Sequence, residues 1–271
     1  MPTSRSLTGW KPSGPWYPVL VCGVVGGLAV PSAWAAGSDA HDTKPRSSAA
    51  QQAEFRRASE QAASSGRRVE VRSQRTDTVR VYANPSGTYT TEQSLPEARA
   101  PRGPVGLWTS VNKKYPSTSY WAKTGDVARV GHENETGGTW RSFITMGTKD
   151  LQRTGTIKSA AFEIKNTYSW SCAKRPVQLW DTGRAYKSTT WNEQPKWYKL
   201  LATVTDAKGH SARECPAGVL AFDVTDNAKA AKANKWPDMT LGLRAANEND
   251  TYAWKKFAPS TAKLAVTWSK G

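Results

Sequence analysis

Phe162 and Ile164 alternate with Glu163 and Lys165, and this two-residue period, returning in short runs down the chain, is what most limits the possible folds. A strand sends successive side chains to opposite faces, so each such run has one face for a core and one for water. The period recurs over Trp140 to Met146, at Val177 and Leu179, at Leu220, Phe222 and Val224, at Leu241, Leu243 and Ala245, and at Leu264, Val266 and Trp268. A shorter run, Val127 to Val130, precedes them. Nothing between these runs has the regular helical crossover that parallel strands require. The expected fold is therefore mainly β: an antiparallel β-sandwich of jelly-roll type carrying one short helix. That helix is predicted over Asp226 to Lys235, with Thr225 or Asp226 as its cap and Trp236-Pro237 as its stop.

The first residues carry a different signal. Arg5 and Lys11 precede the apolar run Val19 to Val30, and small residues follow around Ala33-Trp34-Ala35. This is the anatomy of a secretory signal peptide covering residues 1–35. Its apolar run is roughly a dozen residues, against the roughly 20 that span a bilayer, and no later segment is long enough. The expectation is a secreted, extracellular protein without a transmembrane segment, possible association with the cell wall being the variant. Cys22 lies inside the signal, and Val21 stands where lipoprotein processing needs a small residue.

Loss of the signal leaves Cys172 and Cys215, which in an oxidising compartment read as one disulfide. Closing that loop is worth about 4 kcal/mol in the chain-entropy account. Arg5 and Lys11 also leave, which lowers the formal charge from +16 to +14. A field of that sign favours polyanions.

Between the signal and the sandwich the chain reads as a leader, residues 36–94. Ser48 to Ser65 is free of Gly and Pro and ends at Gly66, so it is predicted helical, with a thin stripe of Phe55, Ala58 and Ala62. Val69 and Val71, then Val79 and Val81, alternate with polar residues ahead of the turn Asn84-Pro85-Ser86-Gly87 and the run Thr88 to Glu92, a small β-meander. Pro96, Pro101 and Pro104 mark residues 95–106 as a linker, and the sandwich is expected over 107–271. Tyr115 to Trp121 reads as an extended aromatic approach to it.

The chemistry legible in the sequence is that of a binder. There is no Gly-x-Ser-x-Gly elbow, and both remaining cysteines are better used as a bridge. His132-Glu133-Asn134-Glu135-Thr136 opens like a zinc-protease helix but lacks the second histidine, and Gly137-Gly138 would break that helix, so His132 reads as a turn residue. No metal site and no cofactor are expected. Tyrosine and arginine could serve a polysaccharide lyase, but no pair is singled out by spacing.

Ten of the thirteen tryptophans lie beyond the signal, and flat rings suit the C–H faces of sugars. Trp140, Trp170, Trp180 and Trp268 are read as core. Trp191, Trp197 and Tyr198 are ligand candidates, the last two flanked by Lys196 and Lys199 as a loop. Strand alternation points Arg244, Trp254, Lys256 and Lys263 outward; were their strands neighbours, the four would form one basic, aromatic sheet face.

Several motifs also resemble a known family. Arg141-Ser142-Phe143, Gly155-Thr156-Ile157-Lys158-Ser159-Ala160, Ser169-Trp170-Ser171-Cys172 with Cys215, and Val177-Gln178-Leu179-Trp180 are similar to the DNRLRE domains of secreted bacterial proteins, which overlap carbohydrate-binding module family 96. Thr190-Trp191-Asn192-Glu193-Gln194-Pro195, Leu241-Gly242-Leu243-Arg244-Ala245 and Trp254-Lys255-Lys256-Phe257 extend the likeness to most of residues 108–268. The resemblance implies a non-catalytic β-sandwich whose partner is an acidic polysaccharide or cell-wall polymer. A structural, adhesion or targeting module with a protein partner is the alternative, a lyase stands behind both, and nucleic acid is set aside.

Overall fold

The computed structural model describes residues 49–73, 77–95, 107–121, 125 and 127–271. The predicted signal, the polar lead after it and nearly all of the Pro/Gly linker lie outside these residues. In chain order the elements are α1 (Ala49–Ser65), β1 (Arg67–Ser73), β2 (Thr78–Ala83), β3 (Tyr89–Ser94), β4 (Trp108–Asn112), β5 (Ala128–Glu133), β6 (Gly138–Gly147), β7 (Thr156–Ser169), β8 (Arg175–Thr182), β9 (Trp197–Asp206), β10 (Gly218–Asp223), α2 (Thr225–Ala233), β11 (Asp238–Ala245) and β12 (Lys255–Ser269).

Every strand pairing is antiparallel, and the predicted mainly β, sandwich-like architecture is what forms. One sheet runs β1-β2-β3-β12-β7-β10 and the other β4-β6-β11-β8-β9. Between them the alternating residues meet in one core: Phe162, Ile164, Phe222, Leu264 and Val266 from the first sheet against Ile144, Leu179, Val204, Leu241 and Leu243 from the second. Strand β5 belongs to both. Its first half, Ala128 to Val130, pairs with Lys255 to Phe257 of β12, and its second half, Gly131 to Glu133, pairs with Gly138 to Trp140 of β6.

Gly131 is the residue at which β5 changes sheets. Its φ is +95°, and a Cβ there would lie 2.7 Å from the Ala253 carbonyl oxygen, so both the backbone and the space require glycine.

The meander joins the sandwich directly. β3 pairs with β12 from Tyr89 opposite Trp268 to Ser94 opposite Lys263, which lets strands with few large apolar residues share the core of a larger sheet. α1 then docks through polar contacts: Gln51 Nε2 donates to Asp223 Oδ2 at 2.7 Å and Ser59 Oγ donates to Glu92 Oε1 at 2.9 Å. Its buried residues are Gln52, Ser59 and Ala62, whereas Phe55 and Ala58 of the predicted stripe are only half-buried.

Local differences from the sequence expectation have local causes. Trp197 and Tyr198 are not in a loop but open β9, whose Ala202 and Val204 are buried. β4 is fully buried along its length beside β6. Much of Tyr115 to Trp121 is turn rather than extended chain, and His132 lies in β5 opposite Thr139 rather than in a turn. Helix α2 is shorter than predicted and capped by Val224, because the Thr225 hydroxyl is used elsewhere: it accepts from Ala160 N–H at 2.9 Å and donates to Asp223 at 2.7 Å. The helix ends in a Schellman arrangement, with Lys235 at φ +53° and Trp236 N–H donating to Ala231 C=O at 2.9 Å. Among the candidate core tryptophans, Trp140 is buried while Trp170, Trp180 and Trp268 are half-exposed; Trp108 and Trp254 are the more deeply buried rings.

Cys172, just past β7, and Cys215, just before β10, form the expected disulfide, with Cα atoms 5.9 Å apart. Opposite Ser169 at the end of β7, Lys255 is fully buried, its Nζ donating to Ser169 Oγ at 2.8 Å and to the Asp206 carbonyl at 3.3 Å. Burial pushes this amine down to about 8; the Asp206 carboxylate opposes the shift and Arg175 adds to it.

Two outcomes follow for stability. Gly131→Ala should lower the unfolding free energy by about 2 kcal/mol or more, read from urea midpoints at unchanged slope. Between about 8 and the ordinary 10.5 the unfolded chain keeps the Lys255 proton and the folded one does not, so stability should rise with pH across that window. Lys255→Met should flatten that rise, measured as the urea midpoint against pH.

Candidate functional site

Where β5 leaves β12 for β6, one open end of the sandwich forms a cleft of about 420 Å³ lined by Tyr120, Trp140, Tyr168, Trp170 and Trp254, with Arg129, Lys256, Glu133, Glu135 and Thr136. The strand register explains its composition. Lys256 of β12 lies directly opposite Arg129 of β5 on one side and opposite Tyr168 of β7 on the other, so Tyr168, Lys256 and Arg129 stand in a row across three adjacent strands. Trp140 sits at the start of β6, with its indole edge-on to Tyr120 at 4.9 Å. Trp170 is fixed against the β12 side by its N–H donating to the Trp254 carbonyl at 3.1 Å.

Each cation lies over a ring. The Arg129 guanidinium is 4.9 Å from the Trp140 centroid, and the Lys256 ammonium is 4.6 Å from Tyr168 and 6.0 Å from Trp254. Like charges directly opposite in an antiparallel pair are destabilising, and among the described residues neither cation has an ion-pair partner. Two carboxylates line the cleft as well, Glu133 and Glu135, and the first is committed to the turn. Glu133 accepts from the Glu135 N–H at 2.8 Å, from the Thr136 N–H at 3.1 Å and from the Thr136 hydroxyl, closing the β5–β6 turn. Burial alone would raise the Glu133 carboxyl; these hydrogen bonds outweigh it, and Lys256 adds to them, holding it below the ordinary range. The arrangement offers two fixed positive charges and several ring surfaces on one concave wall. It can hold an anion-bearing ligand with apolar C–H faces.

The residues singled out from sequence are not brought onto one face. β11 belongs to one sheet, between β6 and β8, and β12 to the other, so Arg244 is not a neighbour of Lys256 or Lys263. Trp254 and Lys256 line the cleft, Trp254 with 3% of its surface exposed, so it contributes an edge and not an outward face.

Arg244, Trp191 and Trp197 instead meet on the outer surface of the second sheet. There Arg141 lies 4.5 Å from Trp191 and 5.6 Å from Trp197, and Arg244 lies 5.3 Å from Trp197 and 4.3 Å from Trp180. Beneath this stack Phe143, Val111 and Ala185 form a small second core. Tyr198 is exposed beside Asp181, Arg184 and Asp238 and joins neither group.

Lys263 has a structural task. Its ammonium donates to Ser59 at 2.6 Å and meets Glu92 at 3.0 Å and Glu163 at 3.1 Å, tying α1 to β3, β7 and β12. Burial pushes the Glu163 carboxyl up, against the pull of Lys263.

Arg129, Tyr120, Tyr168 and Trp170 were not singled out as ligand residues. The alternation Ala128-Arg129-Val130 already placed Arg129 outward, and Tyr168-Ser169-Trp170 carried two rings at strand spacing. What could not be read was that residues 129, 168 and 256 share a row. Among the described residues no group of histidines, cysteines and carboxylates could hold a metal ion, and no helix is long and apolar enough to cross a membrane. No protein-family model matches the sequence, and a search of curated proteins returns no match.

Lys263→Met would leave Glu92 and Glu163 buried without their cation. It should cost about 3–5 kcal/mol, measured by chemical denaturation.

Proposed function

We propose that this chain is an exported, non-catalytic glycan-binding protein that holds an acidic polysaccharide in the cleft between β5, β7 and β12. The observation that carries the reading is the juxtaposed pair Arg129 and Lys256, each seated on an aromatic ring and neither in a salt bridge among the described residues. A sheet that sets two like charges opposite each other gives up stability unless an anion is bound between them. A carboxylate-bearing sugar supplies that anion and lays its C–H face on Trp170 or Tyr168. Supporting a binding role over catalysis, both Glu133 oxygens are occupied by turn donors and are not presented as a base. Export is supported by the signal-like anatomy of residues 1–35 and by the Cys172–Cys215 bond. The likeness of residues 107–271 to DNRLRE and family 96 modules supports the same ligand class.

On a polyuronate such as alginate or pectate, Arg129→Gln and Lys256→Gln should each weaken binding about tenfold or more, a change of about 1.4 kcal/mol, by calorimetry at low ionic strength. Retention no better than on a neutral glucan, or the appearance of unsaturated uronate absorbance during incubation, would sink the proposal.

A further inference from the structure

The stack Trp191, Arg141, Trp197, Arg244 and Trp180 on the outer surface of the second sheet shares no residue with the cleft. Its two cations are not equally provided for. Arg141 is satisfied on all three nitrogens: Nε and Nη2 donate to the two Glu248 carboxylate oxygens, each at 2.7 Å, and Nη1 donates to Gln194 Oε1 at 3.2 Å. Arg244 has one hydrogen bond, Nε to Gln178 Oε1 at 3.0 Å, and that same oxygen already accepts from Trp180 Nε1 at 3.1 Å. Its two terminal nitrogens have no acceptor, and it forms no ion pair, among the described residues. Half-buried in the corner made by two edge-to-face indoles and close to the positive Arg141, its guanidinium is held below its usual value by burial first and by Arg141 second, with Glu248 opposing. The stack holds two cations and one anion and is thus one anion short.

The geometry points to a second anion-binding site, centred on the terminal nitrogens of Arg244, that takes the carboxylate of a uronic acid residue. Trp180 and Trp197, whose rings meet nearly at right angles, border the guanidinium on two adjacent sides, and a planar carboxylate can meet two parallel N–H donors on a side left open. The neighbouring surfaces are Trp180 and Trp197, which match the apolar face of a pyranose ring better than they match the polar backbone of a peptide. The site stands whether or not the cleft binds, because neither depends on a residue of the other.

The test is calorimetry of the full chain carrying both Arg129→Gln and Lys256→Gln, which together remove the cleft's two cations, against a tetrameric oligouronate at low salt. One binding event should remain, and adding Arg244→Gln should weaken it at least tenfold, with a neutral tetrasaccharide giving no heat. Arg244→Lys keeps the charge and the stack but loses the fork, and should still weaken the event several-fold, which decides the matter if Arg244→Gln does not fold. Binding unchanged by either substitution, no remaining event, or saturation by an oligoglutamate with none by the oligouronate would each overturn the assignment.

Discussion

Strand β5 is hydrogen-bonded to both sheets, and the rest of this end of the sandwich depends on that. Its Ala128 to Val130 half fills the edge of β12 beyond the point where β3 ends, and its Gly131 to Glu133 half fills the edge of β6 beyond the end of β11. One strand therefore closes the sandwich at this end and satisfies backbone groups that two open edges would leave unpaired. The crossing sets Arg129 against Lys256, places Trp140 at the mouth and leaves the β5–β6 turn, with its Glu133 cap, as the cleft's rim. A β-carbon at Gly131 would force the chain away from Ala253 and loosen this whole arrangement.

How the molecule treats its other half-buried cations gives the cleft its meaning. Lys263 is paired with two carboxylates, Arg141 with Glu248, Arg72 with Asp150 and Arg175 with Asp250. In these places charge is balanced within the chain, as a low-polarity setting demands. Arg129, Lys256 and Arg244 depart from that pattern, and all three lie over indole or phenol rings. A ring's quadrupole offsets part of a cation's desolvation without consuming its hydrogen-bond donors, so the donors stay available to a ligand. This contrast supports reading the three as ligand groups and Lys263 as a brace.

Much of the framework was legible because strand periodicity is a local property. Phe162 and Ile164, Leu220 and Phe222, Leu241 and Leu243, and Leu264 and Val266 all fall on the core side as their alternation requires, and the two cysteines meet. β9 escaped notice because its first residues, Trp197 to Lys199, look like a polar aromatic loop, although Ala202 and Val204 carry the period. β4 is short and buried between polar residues, and its Thr109, Ser110 and Asn112 hide it from a search for apolar alternation. The site was the less legible part. Which residues stand side by side is fixed by pairings between positions far apart in sequence, such as Lys256 with Arg129 and with Tyr168, and alternation gives a side chain's face but not its neighbours. Arg244 was accordingly grouped with Lys256 and Lys263, although the three lie in three different surroundings: the outer stack, the cleft and the cluster beneath α1.

The central claim is that the β5 crossing builds an anion seat out of Arg129, Lys256 and the rings beside them. It is tested most directly by nuclear magnetic resonance with an oligouronate titrated into the full chain. The indole N–H signals of Trp170 and Trp254 and the backbone amides of Arg129 and Lys256 should shift together along one saturation curve, with Trp108, deep in the core, unmoved. Saturable shifts elsewhere with these four signals stationary would contradict the account.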